Sequence, residues 1–252
     1  MRRIAAMVLR LFLKAPYFLF RIWLCGRKKP IDFAHSYRVI RHVCKKANHA
    51  GRVRIEAQGL ENLPAEDGFM FFPNHQGLYD VLAIIDSCER PFAFVIKKEA
   101  SGVILLKQIV EATGSLSIDR EDLRQSMQVI HEVTEQVRAG RNFLIFAEGT
   151  RSKFGNQMND MKGGSFKSAV KARCSIVPVA LIDAFRPFDE KSIKPVTVYV
   201  TYLKPIPYEE YKNMKTNEIA AMVRGRIEAC IAGQTAGRCQ TEGSARSQAD
   251  GR

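Results

Sequence analysis

Three absences narrow the possibilities before any motif is considered. No acidic residue precedes Asp32, no GxSxG nucleophile elbow occurs in the chain, and the six cysteines (25, 44, 88, 174, 230 and 239) form neither a CxxC nor a paired spacing. The missing elbow argues against a serine hydrolase. The scattered cysteines argue against a zinc ribbon or a disulfide framework and read as reduced thiols facing a cytosol. Metal-ligand spacing, internal repeats and nucleic-acid-binding modules are lacking too, so neither a metal nor a nucleic-acid partner is expected. What remains is a basic chain. Its 39 Lys+Arg against 26 Asp+Glu give a net charge of +13 over 252 residues, 46% of them hydrophobic. Such a chain closes one large core or at most two small ones, with one domain the default, and its charge by itself favours a polyanionic partner (nucleic acid, anionic lipid or a phosphorylated substrate) without choosing among them.

The acid-free stretch MRRIAAMVLRLFLKAPYFLFRIWLCGRKK is apolar except at its basic positions. Arg3, Arg10, Lys14 and Arg21 stand 7, 4 and 7 residues apart, which gathers them within about 40° of arc on a helix. Charges this frequent deny a signal peptide its uninterrupted apolar centre. A bilayer-spanning helix would hold Arg10 and Lys14 in hydrocarbon at about 2.5–3.5 kcal/mol each. An interfacial helix meets neither objection. Its apolar face enters the acyl boundary, its basic stripe meets anionic headgroups, and Trp23 with Arg27, Lys28 and Lys29 suits the edge of that zone. Residues 1–30 are therefore expected to lie on the cytoplasmic face of a membrane as a monotopic segment, divided at Pro16 into two shorter helices. The alternatives are a terminal helix packed on the protein's own core and a true span.

Residues 31–50 carry helical spacing, with Gly51 as the expected terminator. RVRIEAQ, FMFF, FAFVI, LSI, FLIFA, SIVPVAL and VTVYVTY read as strands, separated by helical candidates at 80–88, 99–112, 121–139, 163–173 and 216–231. In the 121–139 candidate Leu123, Met127, Ile130, Val133 and Val137 line one apolar face. Strands alternating with helices predict an α/β domain over 31–232, a mixed, largely parallel sheet covered by helices. The stretch 233–252 has no aromatic or large aliphatic residue and is expected to stay disordered.

NHQGLYD, residues 74–80, follows the apolar run GFMFFP. His75 and Asp80 thus stand at a strand end, where helix-covered sheets place chemistry. A general-base histidine needs one ring nitrogen donating to an acceptor and the other free for a proton. An aspartate supplies that acceptor and stabilises the imidazolium that forms. Gly77 would let the chain bend sharply between them. The plain reading is that Asp80 caps the helix VLAIIDSC. Other strand ends enlarge the set. FAEGTRS places Glu148, Gly149, Thr150 and Arg151 after FLIFA, and a glycine, a hydroxyl and a guanidinium together can clamp a phosphate. Lys97 and Lys98 follow FAFVI and Arg120 follows LSI; each alone is an ordinary solvated charge.

NHQGLYD, KKEA with GSLSIDR, FAEGTRS and the IVPVAL segment around Pro178 together resemble the glycerophosphate and lysophosphatidic acid acyltransferase family, in the family's order, over about 73–181. The stretch SGVILLKQIVEAT lacks the proline usual there. The resemblance implies a glycerolphosphate acyltransferase-like fold. It also implies transfer of a fatty acyl group from acyl-CoA or acyl carrier protein to the sn-2 hydroxyl of 1-acyl-sn-glycerol 3-phosphate, giving phosphatidic acid. Glycerol 3-phosphate or another lysolipid is the alternative acceptor. His75 would be the general base and Asp80 its orienting partner. The acceptor phosphate would lie on Arg151, Arg120 and Lys98, with Asn74, Gly149 and Thr150 also in the substrate-binding set. Glu148 is left with two roles, a hydrogen bond to the glycerol or support of an arginine. A thioester is already activated, so no cofactor or metal is implied. A non-catalytic basic membrane-binding protein would account for the charge, but not for polar motifs gathered after strands.

Overall fold

The computed structural model describes residues 2–27, 32–99, 104–119 and 121–249. Lys28, Lys29 and Arg120 lie outside the described residues. All seven apolar runs become strands: β1 (Val53–Gln58), β2 (Met70–Pro73), β3 (Phe92–Lys97), β4 (Leu116–Ile118), β5 (Asn142–Leu144), β6 (Ile176–Ile182) and β7 (Val196–Tyr202). FLIFA is shortened most: its last three residues lie beyond β5, although Ile145 N–H still donates to Phe71 O at 3.0 Å. The order is β1-β7-β6-β2-β5-β3-β4. Strands β6, β2, β5, β3 and β4 run parallel, β7 is antiparallel to β6, and β1 is parallel to β7. The sheet is therefore mixed and largely parallel, as the alternation predicts. One consequence matters for the site: the C-terminal ends of β2 to β6 and the starts of β1 and β7 all face the same end of the sheet.

The helices are α1 (Arg2–Arg10), α2 (Ala15–Arg27), α3 (Phe33–Gly51), α4 (Asp80–Ser87), α5 (Ile104–Thr113), α6 (Leu123–Arg138), α7 (Lys167–Ala172), α8 (Arg186–Asp189), α9 (Tyr208–Tyr211) and α10 (Thr216–Ala249). The first five share one core with the sheet, while α6, α7 and α10 cover its other face. On the first face Phe69, Phe71, Phe92 and Tyr37 meet edge to face, with successive centroids 5.0, 5.5 and 5.4 Å apart. Each such pair adds about 0.5–1.5 kcal/mol beyond the area it buries.

The amino-terminal helices are part of the fold as well as a surface. α1 packs on α3 and α8, and α2 packs on α3 and α5. The break falls before Pro16, which occupies the first turn of α2, where its missing N–H is not needed. Arg3 is buried. Its guanidinium donates to the carbonyls of Pro187 (3.1 Å), Gly51 (2.6 Å), Ser192 (3.1 Å) and Lys194 (2.8 Å), and Arg10 donates to Ala50 O at 2.5 Å. Of the basic stripe, Arg3 therefore turns inward and the exposed Arg10 reaches back to the main chain, because the last carbonyls of α3 need donors and carry the negative end of its dipole. Val8, Leu9, Phe12, Leu13, Tyr17 and Phe20 stay exposed on the other side. No described helix is long and apolar enough to cross a membrane.

Three further expectations are corrected. α3 is terminated by Arg52, in the left-handed region at φ 54, and not by Gly51. Gly51 instead leaves room for the Met7 side chain of α1, whose Cε would stand 2.1 Å from a Cβ at this position. On α6, burial begins only at Val129 and continues through Val133 and Val137, whereas Leu123 and Met127 are exposed. β4 is a three-residue edge strand, too short to give the first turns of α6 a surface to cover. Finally, α10 buries Ile219, Val223, Ile227 and Ile231 as its spacing predicts, yet the helix continues to Ala249. A composition without large apolar residues excludes a core, but Ala, Gln, Glu and Arg propagate a helix already nucleated by packing.

Truncating Arg3 would leave buried carbonyls without donors. Arg3→Ala should lower folding stability in urea titration by about 2–4 kcal/mol, and Arg3→Lys should restore only part of it, since one ammonium cannot span the same four oxygens.

Candidate active site

The loop leaving β2 carries His75, and α4 opens on Asp80. His75 Nδ1 lies 2.7 Å from Asp80 Oδ2. Asp80 is fully buried, and its Oδ2 also accepts Gln76 N–H at 2.7 Å, while Gly77 N–H lies 3.0 Å from both carboxylate oxygens. The carboxylate thus faces back onto the preceding loop; α4 itself has Tyr79 at its cap with no side-chain capping bond. Its charge still sits at the positive end of the α4 dipole. Gly77 is not in the left-handed region. A Cβ there would approach Phe185 Cα to 3.1 Å and Asp189 Oδ2 to 3.3 Å, so glycine serves close approach, where a sharp bend was expected.

A second carboxylate holds the same loop from the other side. Glu148 Oε1 accepts His75 N–H at 2.7 Å and Oε2 accepts Asn159 N–H at 2.8 Å. With each oxygen accepting a main-chain N–H, Glu148 ties the FAEGTRS loop to the histidine loop. Gly149, at φ 78, then turns the chain through a conformation that favours glycine, and Ser152 N–H donates to His75 O at 2.8 Å. FAEGTRS is in this way docked onto NHQGLYD. The ring of Phe146 stacks on the imidazole, centroids 4.1 Å apart and 24° between planes. Burial pushes Asp80 above the usual carboxylate range, opposed first by the hydrogen bond from His75. Burial raises Glu148 as well, opposed by the backbone N–H groups of His75 and Asn159.

The remaining site residues divide. Thr150 and Arg151 are exposed on the docked loop, adjoining Ser152 and hence His75. Lys98 is exposed and pairs with Asp119 at 3.2 Å. Asn74 departs from its expected substrate role. It is buried, its Nδ2 donating to Leu181 O at 3.0 Å and its Oδ1 accepting Leu181 N–H at 2.7 Å, so it clamps the end of β2 to β6. Sequence reasoning missed Phe146 and a polar lattice around Gln76. Gln76 Nε2 donates to Asn156 Oδ1 at 2.8 Å, Ala184 N–H donates to Gln76 Oε1 at 2.8 Å, and Asn156 Nδ2 donates to Asp183 Oδ1 at 3.1 Å. The amide beside the histidine in NHQ was the one available signal. Among the described residues no group of His, Cys, Asp and Glu could hold a metal ion.

The family model described as Acyltransferase matches residues 54–182, slightly more than half of the chain. This chain belongs to the acyltransferase family. It is 27% identical over 204 residues to the 1-acyl-sn-glycerol-3-phosphate acyltransferase of Escherichia coli (strain K12), covering 78% of this chain and 83% of that protein. Its identity to the enzyme of the same name from Salmonella typhimurium is 29% over 204 residues. The crystal structure of the 1-acyl-sn-glycerophosphate (LPA) acyltransferase PlsC from Thermotoga maritima superposes with a TM-score of 0.73 at 20% identity, covering 94% of this chain and 98% of that one, which establishes a shared fold. In this acyltransferase the family match contains His75, Asp80 and Glu148 to Arg151 alike.

The raised pKa values fix a sign. Asp80 and Glu148 are each protonated more readily in the fold than at their ordinary values of 3.8 and 4.5. Their contribution to stability is therefore present below those values and lost as pH rises through the folded-state pKa. Acid should loosen the His75–Asp80 pair first, because a protonated Asp80 no longer accepts from the imidazole as a carboxylate. The expected result is kcat/KM falling with pH while the fold persists. Melting midpoints of Glu148→Gln should vary less over the same pH range than those of the unmodified protein.

Proposed function

We propose that this acyltransferase moves a fatty acyl group from a thioester, acyl-CoA or acyl carrier protein, to the sn-2 hydroxyl of 1-acyl-sn-glycerol 3-phosphate, forming phosphatidic acid. The carrying observation is the 2.7 Å contact between His75 Nδ1 and Asp80 Oδ2. With Nδ1–H committed to the carboxylate, Nε2 is the nitrogen left to accept a proton. It takes the proton of the acceptor hydroxyl as that oxygen attacks the thioester carbonyl. The tetrahedral intermediate then expels the thiolate, which recovers the proton from the imidazolium and leaves as a thiol. Asp80 remains ionised throughout and stabilises the imidazolium. Arg151, exposed beside the histidine loop, supplies a fork for the acceptor phosphate. Relatives named for 1-acyl-sn-glycerol-3-phosphate support this choice of acceptor.

The substrate is a membrane lipid, and the exposed apolar side of α1 and α2 suits monotopic attachment at the acyl boundary, with Lys14 and Arg21 toward the headgroups. In an assay of the purified protein, mass spectrometry should detect phosphatidic acid formed from 1-acylglycerol 3-phosphate, with acyl-CoA and acyl carrier protein compared as donors. His75→Ala and Asp80→Ala should each reduce turnover by about 10²–10⁴-fold with unchanged circular dichroism; near-normal rates in both would reject the mechanism. Arg151→Ala should mainly raise KM for the phosphorylated acceptor, and an unaltered KM would remove its phosphate role.

A further inference from the structure

Among the described residues after the amino-terminal helical segment 2–27, six large apolar side chains are exposed, and five of them share one end of the molecule. Leu78 (59% exposed) follows β2, Phe154 (72%) follows β5, Leu123 (75%) and Met127 (62%) open α6 after β4, and Ile193 (46%) precedes β7. The strand directions place all five beyond the edge of the sheet where His75 lies. Leu60, after β1, is the single exception at the opposite end. α1 is held at the His75 end as well. Arg3 grips Gly51 just before β1, Pro187 just after β6, and Ser192 and Lys194 just before β7. The α1–α2 surface belongs to one face of the sheet and α6 to the other, with β2 and its histidine loop between them.

We propose that the first two turns of α6, through Leu123 and Met127, form a second membrane contact across the active-site mouth from α1 and α2. The inference rests on the monotopic reading and deepens it. One anchoring helix pair leaves the body free to swing on the surface; contacts on both faces of the sheet fix it, strand ends down, with the mouth closed against the lipid. An acceptor then enters from the bilayer without crossing water. One feature favours a bilayer over a docked protein. The five apolar side chains stand singly around the rim at the end where α1 is held, which suits a flat fluid surface better than a shaped protein pocket.

The one tryptophan, Trp23, stands a turn before Gly26, which packs on Glu111 at the far end of the sheet, so it is replaced in both reporters. The probe is vesicles of phosphatidylcholine and phosphatidylglycerol with brominated acyl chains. A Trp23→Phe/Leu9→Trp variant reports α1, and a Trp23→Phe/Met127→Trp variant reports α6. Quenching of both is the expected result. Quenching of the Leu9→Trp reporter alone would overturn the second contact and leave the monotopic reading standing; quenching of neither would overturn both. A response of the Met127→Trp reporter to acyl carrier protein in place of lipid would also overturn it. Leu123→Ser/Met127→Ser should weaken vesicle partitioning by about tenfold or more and slow acylation of vesicle-embedded acceptor, while leaving turnover in detergent micelles unchanged. Equal rates on vesicles would count against the proposal.

Discussion

A carboxylate removed from water has to be surrounded by donors, and in this protein every donor around Asp80 belongs to the loop that carries the candidate base. The imidazole Nδ1–H and the main-chain N–H groups of Gln76 and Gly77 converge on its two oxygens. Desolvation works against the charge, and the three donors offset it. The same contacts that stabilise the ion therefore dictate where the loop lies and which nitrogen of His75 is left to react. Stability of the corner and orientation of the base are one arrangement.

Glu148 repeats the device from the opposite side, through His75 N–H and Asn159 N–H. The two negative groups oppose each other, and Asp80 raises the pKa of Glu148. Between them the histidine loop is pinned further by the Asn74 clamp to β6 and by the Gln76 lattice reaching Asn156 and Ala184. A candidate base held this firmly needs little reorganisation when a substrate arrives.

The amino-terminal helices join this corner to the surface. Arg3 is desolvated, which lowers its pKa, but four carbonyls from three segments take up its donors. A cationic residue that looks like a headgroup contact is thereby a bolt holding α1 to the strand-end side of the sheet. The apolar residues left uncovered on α1 and α2 face outward because that bolt has already decided which side faces inward.

Much was legible along the chain. The seven apolar runs are strands because short β-branched and aromatic segments bounded by turn residues have no better use. NHQGLYD and FAEGTRS stand at strand ends because the pattern breaks there. The His75–Asp80 contact was legible too, since both residues lie within one loop and one helix start. The partners of Arg3, Asn74, Gln76 and Glu148 were not, because each stands far away in sequence and is brought near only by sheet order. Nor could a helical stripe reveal that Leu123 and Met127 overhang a three-residue edge strand. Sequence alone determined the local periods, the turn chemistry and the residues able to act as base and orienter. The tertiary structure decided which charges are buried, which apolar side chains are left over, and that both lie at one end of the sheet. Burial depends on what packs overhead, and no local pattern contains that information.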